Sequence, residues 1–355
     1  MTDDKHYSEI DLPFYQAEVA SILPPAILDF HAHAWSCDDW KFKPWEADAP
    51  GGKYMVTAER YPVDQLLSDG RRCFFGKEYN AVVFGYPTPV SDWQKDCEFI
   101  AAAGKRKGLY PFMLAGRNFS PPREQILQAI DEGNFLGFKV LLDWFGDDYG
   151  DVRIEDMLGE TEMTIANERK MVVLLHVPRS ERLADPDIQA GVQRLAKEYP
   201  DASIVLAHCG RCYLPSELRR AIGSIGDLPN VYMDTSMVMD AGTIQIAMNE
   251  IGPERLLYGS DFPVAAMRGR RVRVMDHWVD VVLDEYSDSA FRVKSDDIRA
   301  TFMAVEIAVA VRDAALLAGI SDADLRGIFH DNGIGLLEKV ANGEGLSRLR
   351  ANWTD

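Results

Sequence analysis

The chain has 355 residues, enough to bury a substantial core in one large domain or two. Its 47% apolar and 26% charged content is that of a soluble globular protein, and a formal charge of −18 speaks against nucleic acid and anionic membrane surfaces as partners. The opening Met1-Thr2-Asp3-Asp4 lacks the basic-then-apolar pattern of a secretion signal. The longest apolar stretch, near 302–320, is interrupted by Glu306, Arg312 and Asp313, so a buried helix is expected there and not a membrane span. Five cysteines without a disulfide-scaffold pattern suit a reducing cytoplasm. Cys209-Gly-Arg-Cys212 has no second pair to complete a zinc site and reads as incidental.

Residues 1–25 read as a polar lead-in ending at Pro24-Pro25. Apolar, strand-like runs then recur at 27–33, 81–87, 109–116, 137–143, 171–177, 203–209, 231–236 and 256–262. They are near-continuous, as expected for parallel strands covered on both faces. Helix-like segments lie between most of them, at 91–105, 121–133, 186–199 and 214–225, with Pro186 and Pro215 near two of the starts. Such alternation predicts an α/β fold with right-handed crossovers. Eight strands point to a TIM (β/α)8 barrel, with about 250 residues needed for the barrel and the rest left for insertions. A doubly wound open sheet is the alternative, disfavoured because no Gly-rich phosphate loop follows the first strand.

Two excursions stand out. Residues 34–80, rich in Trp, Pro and Gly, read as an inserted rim or lid with a short helix at 63–69. Residues 263–300 are expected to include a helix near 273–285. Extra C-terminal helices at about 297–319 and 322–338 close the barrel, with Ser321 as N-cap and Asp324 at the third helical position. No internal repeat or low-complexity tract is present, so residues 1–355 are expected to form one catalytic domain.

The polar residues gather where these strands end. His31 and His33 end the first run and share a face, because residues two apart on a strand point the same way. Two imidazoles converging on one point suit zinc or a similar borderline metal; the alternative is two partly buried histidines, each bonded to a neighbour. Lys139 lies in the fourth run, His176 ends the fifth, His208 the sixth and Asp261 the eighth. Four of the seven histidines therefore fall at strand ends, where TIM-barrel active sites are built. Asp261 taken alone would be a turn cap before Phe262-Pro263. Arg117, Arg179, Arg211 and Arg268 follow strand ends; guanidinium forks there suit carboxylate recognition, although surface ion pairs are the usual fate of an arginine. Arg211 and Arg117 are the stronger substrate-binding candidates, Arg179 the weaker. Trp35, Tyr86 and Trp144 either wall a pocket or serve as core and rim aromatics.

Asp29-Phe30-His31-Ala32-His33, His176, Ala207-His208-Cys209-Gly210, Tyr258-Gly259-Ser260-Asp261-Phe262-Pro263 and Ile328…Asn332…Leu336-Leu337 follow one another in order. This set resembles the amidohydrolase superfamily of metal-dependent TIM-barrel enzymes. The nearest match is the amidohydrolase-related family that also contains the aminocarboxymuconate-semialdehyde-type decarboxylases. The resemblance runs from residue 27 to 338 and leaves out the 34–80 insertion.

The resemblance implies that His31, His33, His176 and Asp261 bind one divalent metal, with zinc expected ahead of manganese, iron or nickel. His208 would orient or protonate the substrate or position the metal-bound water, and Asp261 would accept a proton from the metal-activated water and pass it on. A binuclear variant is the alternative, with a carboxylated Lys139 bridging two ions and His176 and His208 on the second. Unmodified, Lys139 would contact an acid or a substrate anion. The implied activity is hydrolysis of a small carboxylate-bearing ester, lactone or amide. Non-oxidative decarboxylation of a small aromatic or enoic acid is the alternative, and a non-catalytic metal- or ligand-binding barrel ranks third. A cytoplasmic location, a small anionic substrate and a homodimer complete the expectations.

Overall fold

The structure, a computed structural model, describes residues 3–36, 60–86, 92–117, 119–142, 149–283, 291–292 and 299–354. Eight parallel strands form one sheet in sequence order: β1 (Ala26–His33), β2 (Glu78–Phe84), β3 (Leu109–Leu114), β4 (Gly137–Val140), β5 (Val172–Leu175), β6 (Ser203–Leu206), β7 (Val231–Asp234) and β8 (Leu256–Leu257). The residues of β3 to β8 are all buried, and β1 is buried from Ile27 onward. Helices on the outside therefore face strands that are apolar on both sides, which is why the runs are nearly continuous in the sequence. Between β8 and β1 the circle closes through single backbone bonds: Phe30 N to Tyr258 O (2.8 Å), Asp261 N to His31 O (2.8 Å) and His33 N to Phe262 O (2.9 Å). The architecture is a TIM barrel, with its strand carboxyl ends at one mouth.

The expected helices at 91–105, 121–133 and 186–199 are present as Trp93–Ala103, Arg123–Gly133 and Pro186–Glu198. The 214–225 segment is a shorter helix, Pro215–Arg219, followed by a tight turn at Ile222–Ser224. Met303–Ala318 is the long buried helix, and Ser321 caps Asp322–Arg326 by accepting from Asp324 N at 3.1 Å. Two further helices, Glu160–Glu168 and Ala241–Ile251, complete the alternation between strands. No described helix is long and apolar enough to cross a membrane.

Two expectations need correction. Residues 1–25 are not a plain lead-in: Asp3–His6, a wide turn at Tyr7–Asp11 and Leu12–Glu18 are helical. Asp11, Tyr15 and Val19, four residues apart, form their buried stripe. The segment near 273–285 is a hairpin and not a helix, with β9 (Gly269–Val274) antiparallel to β10 (His277–Val282) over six residue pairs. Its reason is visible in the chain: Arg-Val and Val-Asp-Val alternate with period two, and β-branched residues favour the pleat. Arg271 is clamped on Asp280 by two 2.9 Å bonds, with its guanidinium 3.8 Å from the Trp278 ring centre. The ends of the 34–80 excursion are a short antiparallel pair, Trp35–Ser36 with Arg60–Tyr61, and a helix at Val63–Cys73. The stretch between them, and Trp144, lie outside the described residues.

Candidate metal centre

Strand geometry brings the polar ends together. His31 and His33 leave β1 on one face, and the Nε2 atom of each lies 3.4 Å from Asp261 Oδ1. Across the mouth, His176 Nε2 is 2.9 Å from His208 Nε2. Lys139 Nζ reaches in from β4, 3.1 Å from His31 Nε2 and 3.4 Å from His176 Nε2. The ligand-capable atoms form two triads that share His31: His31, His33 and Asp261, and His31, His176 and His208. Within each, they lie within 4.8 Å of one another. His31, His33, His176 and Asp261, the four residues expected to hold one ion, thus straddle both triads.

The rings are held from behind. His31 Nδ1 is 2.9 Å from Asp234 Oδ2, and His33 Nδ1 is 2.7 Å from the Gly85 carbonyl. His208 Nδ1 faces the Ser236 carbonyl at 3.0 Å and the Ser236 hydroxyl at 2.8 Å. Protein acceptors at Nδ1 fix the tautomer that leaves the Nε2 lone pair aimed inward, the arrangement a metal ligand needs. His176 is held differently: its Nδ1 accepts from Leu142 N at 3.3 Å, which in a neutral ring puts the proton on Nε2, facing His208 Nε2, so His176 would ligate an ion only after its proton leaves Nε2.

Burial favours the neutral form of His33, His176 and His208. It lowers His33 from its ordinary value, lowers His176 further with the Lys139 charge adding to the effect, and brings His208 down to about 3. Burial raises the Asp261 carboxyl, but the neighbouring His31 and the His33 hydrogen bond outweigh it and hold the group well below the usual carboxylate range. Imidazoles around an ionised carboxylate are a donor set that fits a borderline divalent cation.

Local backbone detail explains the sixth and eighth strand ends. The β6 run stops at Leu206, two residues short of His208, because His208, Cys209, Gly210 and Arg211 all adopt left-handed φ values from 50° to 68°. The turn swings the His208 ring inward, and Asp234 Oδ1 accepts its backbone N–H at 2.9 Å. Gly259 sits where any side chain would collide: a Cβ there would lie 2.9 Å from His31 Cβ and 3.3 Å from Ser236 Cβ. Gly259→Ala is therefore expected to cost about 1–3 kcal/mol through overpacking and to displace the His31 ring. Denaturant melts and cation titration of the same variant check both effects.

Asp234, Ser236 and Gly259 were not picked out as site residues from the sequence. Asp234 and Ser236 end the seventh apolar run as a polar pair beside Thr235, at the same level as the other strand-end residues. That position was the available signal.

The remaining sequence candidates are dispersed. Arg211 donates to the Val177 carbonyl at 2.9 Å and lies 5.3 Å from the Tyr149 ring centre, so it is anchored on the loop after β5. Arg179 is taken up by Asp185 (3.0 Å), Asp187 (2.9 Å) and the Val152 carbonyl. Arg117 is 53% exposed with Asp156 at 3.8 Å. Arg268 pins the N-terminal segment through Asp11 and Asp3. Trp35 and Tyr86 pack edge-on at 4.6 Å, both buried.

Fold and site together define a TIM-barrel protein with a histidine–aspartate centre able to hold a metal at its carboxyl-terminal mouth. The family model described as Amidohydrolase matches residues 28–338, and the chain belongs to that family of enzymes. Among curated proteins none matches. Among solved structures, 4-oxalomesaconate hydratase from Rhodopseudomonas palustris is 13% identical with a TM-score of 0.58, covering 91% of this chain and 99% of that one. An amidohydrolase from Burkholderia multivorans, solved with bound zinc, is 17% identical with a TM-score of 0.54, covering 88% and 99%. Amidohydrolase 2 from Bifidobacterium longum subsp. infantis is 14% identical with a TM-score of 0.53, covering 89% and 99%. At these identities the likeness is one of fold.

Proposed function

We propose that this chain is a metal-dependent hydrolase of small carboxylate-bearing esters, lactones or amides, with residues 1–355 acting as one catalytic domain. The observation that carries the reading is the convergence of His31 Nε2, His33 Nε2 and Asp261 Oδ1, each ring fixed from behind at Nδ1. His31, His33, His176 and Asp261 would hold one divalent cation, zinc first; the Burkholderia multivorans neighbour was solved with that metal. A cation bound there supplies Lewis-acid chemistry, polarising a carbonyl and lowering the pKa of water toward about 7.

The chain's own groups do the rest. Asp261 is the member of its triad that reaches solvent, 16% exposed against 0% and 2% for His31 and His33. It is placed to take a proton from a water entering the mouth and pass it to the leaving group. His208, anchored on Ser236 at Nδ1 and facing His176 at Nε2, would orient the substrate. Arg211 and Arg117 stand nearest in role for the substrate carboxylate, with Arg179 behind them. Trp35 and Tyr86 would wall the pocket on the rim side. The four cysteines found free and buried suit a reducing cytoplasm, and a homodimer is the family-level expectation.

A two-ion reading rests on one observation, the second triad of His31, His176 and His208 with Lys139 lying between the two sets. Metal analysis separates them: one ion per chain supports the first, and two ions with a carboxylated Lys139 by mass support the second. The activity is tested with a panel of lactones, esters, amides and carboxylic acids against zinc-, manganese-, iron- and nickel-loaded protein. Acid release from a lactone, ester or amide, lost in Asp261→Ala, is expected. Carbon dioxide release from an aromatic or enoic acid would assign the carboxy-lyase chemistry instead.

A further inference from the structure

The strand before Asp261 is very short. Only Leu256 and Leu257 pair with β7, and beyond them the chain runs beside β1 without a regular ladder. Tyr258 O and Asp261 N each find a backbone partner on β1, but the Ser260 N–H between them does not. A buried amide needs an acceptor, and the acceptor here is a side chain: Asp29 Oδ1, at 2.9 Å. The same oxygen accepts from His31 N at 3.1 Å, where the β1–β2 register slips between Asp29 and Ala32. The other oxygen, Oδ2, accepts from Tyr79 OH at 2.7 Å and Ser260 Oγ at 2.5 Å. Ser260 Oγ in turn accepts from Phe262 N at 3.0 Å, bracketing Asp261 on its far side. Asp29, Ser260 and His31 are fully buried.

Asp261 needs this bracing. Its φ of 76° is left-handed, an uncommon conformation for a residue with a side chain, and one that persists only where the surroundings impose it. One carboxylate collects four donors from β1, β2 and the β8 extension, and two of those four belong to the residue before Asp261. We propose that Asp29 is a positioning residue: its carboxylate fills the gap at Ser260 in the backbone bonding between β1 and the β8 extension and sets the backbone from which Asp261 reaches the site. The proposal rests on the metal reading for its consequence, and on the hydrogen bonds alone for its structural part.

Asp29→Ala removes the acceptor, whereas Asp29→Asn can keep its oxygen toward the Ser260 and His31 amides and donate its NH2 to the Tyr79 and Ser260 hydroxyls, and is the rescuing variant. Hydrogen exchange on the metal-free protein reads the clasp directly. The amides of Ser260 and Asp261 are expected to exchange about tenfold faster in Asp29→Ala, the equivalent of one lost hydrogen bond, and near the native rate in Asp29→Asn, while β5 and β6 keep their protection. Zinc affinity of Asp29→Ala, by chelator competition, is expected to fall about 10–100-fold, the usual effect of removing a group that orients a ligand. Ile204→Val in β6 is the control, lowering stability away from this network with unchanged zinc affinity. In Asp29→Ala, faster exchange spread over the whole barrel, or unchanged exchange at Ser260 and Asp261, overturns the proposal. If the native protein takes up no zinc, the metal reading fails separately, and the exchange result still decides the clasp.

Discussion

His31→Ala is expected to abolish stoichiometric uptake of a divalent cation. His31 is shared by the two triads, so removing it breaks each of them at once. Loss of an outer partner typically costs 10–100-fold in metal affinity, and loss of the shared ligand should exceed about 100-fold. Stability should fall as well. Asp234 loses its ring partner, and Lys139 Nζ loses one of its contacts. Asp234 keeps its donors from His208 and Ser236, so the loss of this one buried partner costs about 1–3 kcal/mol. Isothermal titration and a denaturant melt of the metal-free variant separate the two losses. A variant that unfolds less readily than expected yet binds zinc normally would show that the ring is structural.

Asp234→Asn should have the next largest effect, through a tautomer. The Asp234 carboxylate accepts at Oδ2 from His31 Nδ1 and at Oδ1 from the backbone N–H groups of His208 (2.9 Å) and Ser236 (3.0 Å), with the Ser236 hydroxyl bonded there too. Burial raises this carboxyl, but the His31 ring and its hydrogen bond outweigh it and hold Asp234 below the usual carboxylate range. An asparagine can keep its oxygen toward the two backbone donors, and then its NH2 group faces His31 Nδ1. The ring answers by moving its proton to Nε2, which turns a donor lone pair into an N–H aimed at the site. Metal affinity is expected to fall about 10–100-fold while the fold survives. Asp234→Ala removes every acceptor and should instead destabilise the chain by about 1–3 kcal/mol for each donor left unsatisfied. The contrast between the two variants, read by metal titration and thermal melts, distinguishes orientation of a ligand from simple support of the core.

How much of this was legible in the chain depended on periodicity. The barrel strands were readable because parallel strands buried on two faces leave long apolar runs, and the alternating helices separated them cleanly. His31, His33, His176, His208, Lys139 and Asp261 were readable because each interrupts or ends such a run with a side chain that an apolar interior does not favour. Asp234 and Ser236 end a run in the same way, but a lone acid after a strand carries no spacing that distinguishes a ring-orienting role from a turn cap. Gly259 was part of a recognised motif, yet its need for close backbone approach only appears when His31 lies across from it. The hairpin at Gly269–Val274 and His277–Val282 was misread because a short alternating segment rich in Arg and Val also fits a helix loosely, and cross-strand pairing decides between them. The buried stripe of Asp11, Tyr15 and Val19 was hidden by the polar residues around it. For the arginines, position after a strand said nothing about which acid or carbonyl each would meet; Arg179 finds Asp185 and Asp187 at the start of the helix that follows its loop.

The most direct test of the account is an anomalous-diffraction map from crystals of the zinc-loaded chain. The account predicts a peak bounded by His31, His33 and Asp261, with His176 in reach, and its disappearance in His31→Ala. A peak placed elsewhere, or none at saturating zinc, would contradict it.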